Sequence, residues 1–362
     1  MTPSSVSKVV PKLQEIATMH INQMLQNSTP GKHTVVGETM FRTFTLDVAG
    51  KVILGLNLTD KEQVAFQQNL NTWLTGMLTL QVLALPGLRF TKVWKARQFL
   101  VEIIEEKIRA LKENGPDHES TLSAMVFGTD DEDGGANKSL SHEQIVDNAL
   151  FLMLAGSETS SSTMTNCLLL LGLHRHVWEK VVNEQRELCE KYGKSLTKEQ
   201  LDNNCPYLEA VIKEAMRIVP ISGGQYRRTK ATMIVDGMQI PKGWPIVYNV
   251  RKTHELDPFT RLEDGSHMSI KEGFKPERWL DKGTGQKDGD YIPFGSGPRY
   301  CLGATLAMAE MKIFLAIMAR KFSFELVDID PDNIEWKNSD LIAIPKDGVI
   351  VSVKPSKNGI IH

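Results

Sequence analysis

The sequence has few of the residues that mark several common protein classes. Among 362 residues there are only four cysteines, Cys167, Cys189, Cys205 and Cys301, and none of them forms a C-x-x-C pair. This excludes a disulfide-dense scaffold and a zinc cluster evident from the sequence, and it suits a reducing, intracellular compartment. The net charge is only −2, so the chain lacks the basic excess expected of a protein whose main partner is nucleic acid.

Membrane-spanning and signal segments are also lacking. The uncharged stretch from Asn71 to Leu88 is interrupted by Thr72, Gly76 and Pro86 and is too polar to cross a bilayer. No basic-then-apolar leader opens the chain. With 41% hydrophobic and 24% charged residues, the composition is that of a globular protein with a large core.

Helical periodicity dominates the first 220 residues. Apolar residues at helical spacing predict helices over 9–25, 41–56, 62–83 and 92–111. Ser141 followed by Gln144 is typical of a capping box and predicts a long helix over 142–171. Two more helices are expected over 177–192 and 207–217, with Pro220 ending the second.

After residue 230 the pattern changes to that of β-strands. Residues 232–240 predict a hairpin around Asp236-Gly237, and 244–250 predict a further strand. A second small hairpin is expected around Lys346-Asp347-Gly348. The predicted fold is mainly α with small β-sheets, in a single domain over 1–362 with an acidic loop at 130–135 and no evident linker.

The segment Phe294 to Gly303, with the sequence FGSGPRYCLG, carries the most chemical information. Cys301 follows a loop rich in glycine and proline and precedes a helical pattern that runs through Lys312. A thiolate at a helix N-terminus is stabilised by the free N–H groups there. Gly295 and Gly303 allow a flat ligand to approach the backbone closely, and Arg299 is placed to reach an anionic group on that ligand.

Two interpretations of this segment differ in what Cys301 does. Taken alone, Cys301 would be interpreted as a buried structural thiol that precedes a helix. The complete pattern instead favours the axial thiolate of a haem iron, which directs electron density towards the iron and favours O–O cleavage. Because the whole pattern is far more specific than a lone cysteine, it predicts haem ligation.

A second unusual segment, Ala155 to Thr159 with the sequence AGSET, lies within the predicted long helix. A glycine, an acid and hydroxyl residues destabilise the middle of a helix, and such local conflicts mark functional or strained positions. The alternative is a helix that emerges into solvent at Ser157.

These segments together resemble the cytochrome P-450 family of haem-thiolate monooxygenases. Four motifs occur in family order: A-G-x-E-T at 155–159, E-x-x-R at 214–217, P-E-R-W at 276–279 and F-x-x-G-x-R-x-C-x-G at 294–303. The resemblance extends from about Lys8 to the end. It implies the P-450 fold, with a haem-binding loop and following helix over 294–312 and haem b ligated by Cys301.

The resemblance also implies roles for individual residues. Thr159 supplies a hydrogen-bonding hydroxyl and Glu158 relays protons during oxygen activation, at a point where the helix opens at Gly156. Ala155 and Gly156 leave room for oxygen and substrate. The haem is contacted by residues of the cysteine loop and by an arginine of the later strand: Phe294, Gly295, Arg299, Gly303 and Arg227, with Arg228 as the alternative arginine.

A buried structural cluster is implied by two of the motifs. Glu214 and Arg217 alone read as a surface pair three residues apart on a helix. The family pattern instead places them with Arg278, where they fix the loop that leads to the cysteine. His254 is expected to be a surface or supporting histidine rather than a ligand.

The implied function is insertion of one oxygen atom from dioxygen into a lipophilic molecule, with electrons from NADPH through a flavoprotein reductase or a ferredoxin. Residues 235–244 are similar to the branch that oxidises sterols and retinoid-like isoprenoids, although a fatty-acid-like substrate also fits. The residues expected to line an apolar pocket are Leu152, Ala155, Ile221, Ser222, Ile342, Ala343 and Ile344.

Two alternatives remain open. One is a haem-thiolate isomerase or dehydratase that needs no reductase, against which the Glu158-Thr159 pair argues. The other is an inactive fragment, because no W-x-x-x-R helix precedes Val9. We therefore expect an N-terminally truncated member that lacks the front helices, the first strands and a membrane anchor, and whose full-length form associates with the endoplasmic reticulum or another organelle membrane.

Overall fold

The computed structural model describes residues 3–26, 34–76, 89–117, 119–128, 140–255, 270–280, 291–337 and 343–355. Within these ranges the chain is mainly helical, with three small antiparallel sheets. The predicted fold class is confirmed. The acidic loop at 130–135 and residues 77–83 of the predicted third helix lie outside the described ranges.

The first five helices cover the N-terminal third of the chain. Their bounds are α1 Pro3–Gln26, α2 Gly37–Val48, α3 Asp60–Gly76, α4 Arg89–Asn114 and α5 Thr121–Phe127. A π-helical turn, Ala49–Ile53, continues α2 without a break. The sequence pattern over 41–56 predicted one helix there, and it gave no sign of the change in winding.

The long helix α6, His142–Leu173, lies at the centre of the molecule. Both bonds of the capping box form: the Gln144 N–H donates to Ser141 Oγ, and the Ser141 N–H donates to Gln144 Oε1. Helix α6 packs against α2, α9 and the last helix, α12 Ala304–Lys321. The intervening helices are α7 Arg175–Tyr192, α8 Lys198–Asn203, α9 Pro206–Ile218, α10 Val250–Glu255 and α11 Ile270–Gly273.

Two sheets lie between α9 and α10. Strands β2 Gly224–Arg228 and β5 Pro245–Asn249 pair antiparallel, with Tyr226 opposite Val247. Strands β3 Met233–Val235 and β4 Met238–Ile240 form the predicted hairpin. Its turn residues Asp236 and Gly237 have φ of +50° and +79°, as a two-residue hairpin of this kind requires.

The third sheet corrects the prediction of a second hairpin around Lys346-Asp347-Gly348. Strand β7 Ile350–Pro355 lies between β6 Phe322–Leu326 and β1 Thr34–Val36. Before the turn, only an isolated bridge joins Trp336 to Pro345. Val351 and Val353 are buried in this sheet, so the strand gains more by pairing with distant apolar strands than with the polar residues beside the turn.

The apolar core runs continuously from α1 to β7. Its largest part surrounds α6 and α12, where the residues from Ser160 to Leu171 are buried. No helix within the described ranges is both long enough and apolar enough to cross a bilayer.

Candidate active site

The loop before α12 holds Cys301 at the surface of the described chain. The Cys301 N–H donates to Phe294 O at 2.9 Å, which closes the loop, and the Ala304 N–H donates to Cys301 O at 3.3 Å as the helix begins. Cys301 is an exposed free thiol. It stands just before the N-terminus of α12, as the sequence predicted.

Two glycines of this loop have conformations that other residues rarely adopt. Gly295 and Gly297 have φ of +74° and +64°. A Cβ atom on Gly295 would lie 2.9 Å from the Gln225 side-chain nitrogen, whereas one on Gly303 would meet nothing within 4 Å. The loop thus touches strand β2 on one side and leaves open space beside Gly303. Arg299 is exposed at the end of a 3₁₀ turn, Gly297–Arg299.

The two arginines that could contact the haem, Arg227 and Arg228, lie on opposite faces of strand β2. Successive side chains of a strand point to opposite faces, so Gln225 and Arg227 share one face and Arg228 lies on the other. Because the Gln225 side chain reaches Gly295, Arg227 is on the face towards the cysteine loop. The Arg227 guanidinium donates to Gln225 Oε1 at 2.7 Å and lies 5.5 Å from the centre of the Tyr248 ring.

One face of α6 is open over residues 151–159, whereas residues 160–171 are buried. Phe151 is 60% exposed, Thr159 is exposed, and Leu152 and Ala155 are half-buried. Residues 151, 155 and 159 are four apart and lie on one face. Ser157 is fully buried, so the alternative in which the helix emerges into solvent at that residue is wrong. The helix instead presents an open apolar stripe that ends at a hydroxyl.

The expected opening of the helix at Gly156 is also absent. Helix α6 is continuous, and Thr159 Oγ1 donates to Ala155 O at 2.7 Å. This bond satisfies the carbonyl that an opened helix would expose, so the regular winding is kept.

The structure corrects the role expected for Gly156. A Cβ atom on Gly156 would lie 2.8 Å from Ile53 Cδ1, which belongs to the π-helical turn. The side-chain position is therefore filled by Ile53 and is not left open for oxygen or substrate. Ala155, on the open face, keeps its expected place.

Glu158 has a strong partner that the sequence did not reveal. Arg42 of α2 donates to both carboxylate oxygens of Glu158, at 2.9 Å from Nε and 2.6 Å from Nη2. This two-point pairing holds the carboxylate in one orientation. The two residues are 116 positions apart, so no local pattern could have indicated the contact.

The structure brings Glu214, Arg217 and Arg278 together. The carboxylate of Glu214 is completely buried and accepts from Arg217 Nε and Arg278 Nε, both at 2.9 Å. It also accepts from the Lys275 N–H and from Trp279 Nε1. The cluster joins α9 to the 3₁₀ turn Pro276–Trp279.

His254 supports the start of the cysteine loop. Its Nε2 accepts from the Ile292 N–H at 3.0 Å, so the proton lies on Nδ1, which donates to Arg217 O at 3.0 Å. The ring stacks on Tyr291 with centroids 5.4 Å apart. Burial lowers the pKa of His254 to about 4, so the ring stays neutral at physiological pH.

The residues expected to line an apolar pocket are mostly half-buried. This holds for Leu152, Ile221, Ser222 and Ala343, while Ile344 is buried. Asn166 Nδ2 on α6 donates to Ala343 O at 2.9 Å and holds that segment against the helix. Ile342 lies outside the described residues.

The residues present fit a haem. An exposed thiol at a helix N-terminus, open space beside Gly303 and an exposed apolar stripe on α6 suit a large flat group that accepts a thiolate. Arg227 and Arg299 are guanidinium groups that pair well with carboxylates.

Comparison with known proteins agrees with this chemistry. The family model described as "Cytochrome P450" matches residues 1–353. The chain is 30% identical over 328 residues to a putative cytochrome P450 120 of Synechocystis, covering 90% of this chain and 68% of that protein. It is also 30% identical over 336 residues to cytochrome P450 26B1 of Xenopus tropicalis, covering 89% of this chain and 61% of that protein.

A solved structure is also similar. The retinoic acid-bound cyanobacterial CYP120A1 superposes with a TM-score of 0.80 and 28% identity, over 98% of this chain and 76% of that one. The chain therefore spans between 61% and 76% of the length of these relatives.

Proposed function

Because the chain belongs to the cytochrome P450 family, we propose that it holds a haem through Cys301 and inserts one oxygen atom of dioxygen into a lipophilic small molecule. The observation that carries the proposal is the exposed Cys301 thiol, at the end of a glycine loop and at the start of α12. When bound, the haem supplies the binding and activation of dioxygen, which the thiolate ligand promotes.

The chain's own residues would seat the haem. Cys301 supplies the sulfur, and Gly303 leaves its approach open. Arg227 and Arg299 pair with the carboxylates of the haem, for which Arg227 exchanges its bond to Gln225. The cluster of Glu214, Arg217 and Arg278 fixes the segment leading to the loop.

Glu158 and Thr159 handle the proton that the reaction consumes. The Thr159 hydroxyl, on the open face of α6, donates to Ala155 O and could turn its proton into the space beside that face. Glu158 is next to it and, once Arg42 releases one carboxylate oxygen, could take up a proton from water and pass it to the hydroxyl.

The substrate class is a lipophilic isoprenoid acid of the retinoid type. The support is the apolar stripe of Phe151, Leu152 and Ala155 and the retinoic acid named for the similar CYP120A1. Electrons come from NADPH through a flavoprotein reductase or a ferredoxin.

The test supplies the haem-loaded chain with retinoic acid, NADPH, a redox partner and isotopically labelled dioxygen. The proposal expects a hydroxylated product that carries one labelled oxygen atom. An unlabelled product, or product formed without the redox partner, would favour an isomerase or dehydratase. Absence of any product would contradict the retinoid substrate class.

A further inference from the structure

A cleft that the proposed mechanism does not use lies beside the cysteine loop. It has a volume of about 280 Å³ and is walled by α8, α9, one face of α12 and residues of the loop itself. Within the described chain, no residue of α6 or of strand β2 lines the cleft, so it is separate from the apolar stripe and from Arg227. Its volume is just below the range of pockets that hold drug-sized ligands, and it therefore suits a small molecule.

The charged side chains that line the cleft leave one positive charge in excess. Three of them are lysines, Lys198, Lys213 and Lys312, and two are carboxylates, Asp202 and Glu209. Lys198 pairs with Asp202, so the excess lies with the other two lysines, which share Glu209. Lys213 Nζ is 2.6 Å from one oxygen of this carboxylate, and Lys312 bonds to the other. A monoanion bound between these two lysines would balance their charge.

Both lysines keep hydrogen-bond donors for such an anion. An ammonium group has three N–H donors. In the described chain, Lys312 Nζ donates to Leu201 O at 2.9 Å and to Glu209, which uses two of its donors, and Glu209 uses one donor of Lys213. The Lys312 side chain is only 4% exposed. Because little water competes for its ammonium group, a charged hydrogen bond made there is strong.

The rest of the wall is largely apolar and aromatic. Phe294 and Tyr300 of the cysteine loop have their ring centroids 6.3 Å apart, and Met216 and Met308 contribute thioether side chains. Aromatic rings and methionine sulfurs both make favourable contacts with a flat aromatic group. Tyr300 is 57% exposed, so a ligand can reach this end of the cleft from solvent.

We propose that the cleft binds a small aromatic carboxylate and that the bound ligand stabilises the cysteine loop. The carboxylate lies between Lys213 and Lys312, where one positive charge is in excess. The ring lies against Phe294, Tyr300 and Met308. The ligand thereby joins α9 and α12 to the loop.

Occupation of the cleft acts on the turn that ends at Cys301. The Cys301 N–H donates to Phe294 O at 2.9 Å, and the Tyr300 N–H donates to Gly297 O at 3.0 Å. A ligand that packs against Phe294 and Tyr300 binds the closed form of this turn and therefore stabilises it. The effect on a bound haem rests on the proposed function, whereas binding of the carboxylate does not.

The test measures binding of radiolabelled benzoate to the full chain by equilibrium dialysis, after expression with a haem precursor. The proposal expects one saturable site per chain. Benzamide has the same ring without the charge, so it should compete about tenfold more weakly than benzoate, because it cannot make charged hydrogen bonds to the lysines. Absence of saturable binding, or equal competition by benzamide, would overturn the proposal.

A pair of lysine variants locates the benzoate site. Lys213→Gln keeps a polar side chain and loses the charge, so benzoate should bind to it about tenfold more weakly. Lys346→Gln removes a lysine that pairs with Glu335 and does not line the cleft, and it should bind benzoate as the wild type does. Equal affinities of the two variants would contradict the proposal.

A variant that fills the cleft and a competitor for the substrate pocket give two further checks. Thr305 lines the cleft from α12 and is half-buried, so Thr305→Phe should block benzoate while the thermal unfolding transition is retained. Excess retinoic acid should leave benzoate bound, because the cleft is separate from the apolar stripe of α6. Full binding to folded Thr305→Phe, or displacement by retinoic acid, would place benzoate elsewhere and overturn the proposal.

The effect on the loop is measured by hydrogen exchange of the Tyr300 and Cys301 amides, which needs no turnover. Saturating benzoate should slow their exchange in the wild type and leave that of Thr305→Phe unchanged. Unchanged exchange in the wild type would contradict the effect on the loop.

The consequence for the haem is measured separately, as the rate at which haem transfers to apomyoglobin, which benzoate should lower. A chain that binds benzoate as expected but shows no thiolate-ligated haem would refute the proposed function and leave the carboxylate site standing. A chain with thiolate-ligated haem and no benzoate site would refute the carboxylate site alone.

Discussion

At the scale of single residues, the pairing of Glu158 with Arg42 changes what can be expected of the acid. A carboxylate bound at two points by a guanidinium is held in one orientation. The Glu158 side chain is 13% exposed and that of Arg42 is 25% exposed, so the pair is only partly screened by water. The proposed delivery of protons by Glu158 would therefore depend on Arg42 as well.

Removing Arg42 should free Glu158 and cost stability. For Arg42→Ala we expect a loss of about 1–2 kcal/mol in the free energy of unfolding, because a charged hydrogen-bond partner of a half-buried acid is lost. Urea denaturation measures it. The control is Arg97→Ala, which breaks the exposed pair with Asp147 and should cost less than about 1 kcal/mol. Equal losses would mean that the Arg42 pair is no stronger than a surface contact.

The hydroxyl of Thr159 should affect the ratio of product formed to peroxide released, and it should have little effect on folding. Thr159→Ala should release more peroxide at the expense of product, since the hydroxyl on the open face of α6 is lost, and Thr159→Ser should restore product. Thr163→Ala removes a hydroxyl that donates to Thr159 O and serves as the control. Unchanged coupling in Thr159→Ala would contradict the proton-handling role.

His254 should make the folded protein less stable at acid pH. The pKa of His254 is 6.5 in the unfolded chain and about 4 in the folded one. Between these values only the unfolded chain binds a proton on this histidine, so the free energy of unfolding falls as the pH drops through this range. The shift corresponds to about 3 kcal/mol. His254→Gln keeps one donor and one acceptor, and its unfolding free energy, measured from pH 7 to 4, should fall less than that of the wild type. Parallel curves would contradict the buried neutral ring.

At the scale of elements, α9 and the turn at Pro276–Trp279 are joined through one carboxylate. Five donor atoms on four residues, a backbone N–H among them, converge on Glu214, so the position of this turn against α9 depends on that one side chain. An uncompensated buried charge is among the costliest changes a fold can suffer.

Glu214→Gln should therefore be severe. It leaves the buried Arg217 guanidinium without its carboxylate partner and removes the Glu214 charge from Arg278, and we expect about 3–5 kcal/mol of lost stability together with weaker haem retention. Denaturation and the haem-to-protein absorbance ratio measure the two effects. Glu325→Gln, which breaks an exposed pair with Lys354, should change neither. A mild effect of Glu214→Gln would mean that the cluster does not fix the loop.

The sequence predicted elements well where a local pattern defines them. The capping box at Ser141, the turn at Asp236-Gly237 and the end of α9 before Pro220 each depend on a few adjacent residues, and each occurs in the structure. The π-helical turn and the place of β7 escaped prediction because they depend on packing against distant parts of the chain.

At the scale of the whole molecule, the same division applies to the candidate site. Cys301 and the glycines around it could be named from ten consecutive residues. Arg42 and Ile53 could not, because each acts on α6 from another helix or turn. The apolar core brings these elements to the central helix. The candidate site therefore depends on what packs against α6 as much as on the sequence of α6 itself.

The most direct test of the account is the reduced, CO-bound difference spectrum of the haem-loaded chain. If Cys301 ligates the iron, the wild type and Cys189→Ser, which alters a half-buried cysteine of α7, should both give the strongly red-shifted band of a thiolate ligand, and Cys301→Ser should lose it. A wild-type band at the position of histidine-ligated or free haem, or a shifted band that persists in Cys301→Ser, would contradict the account.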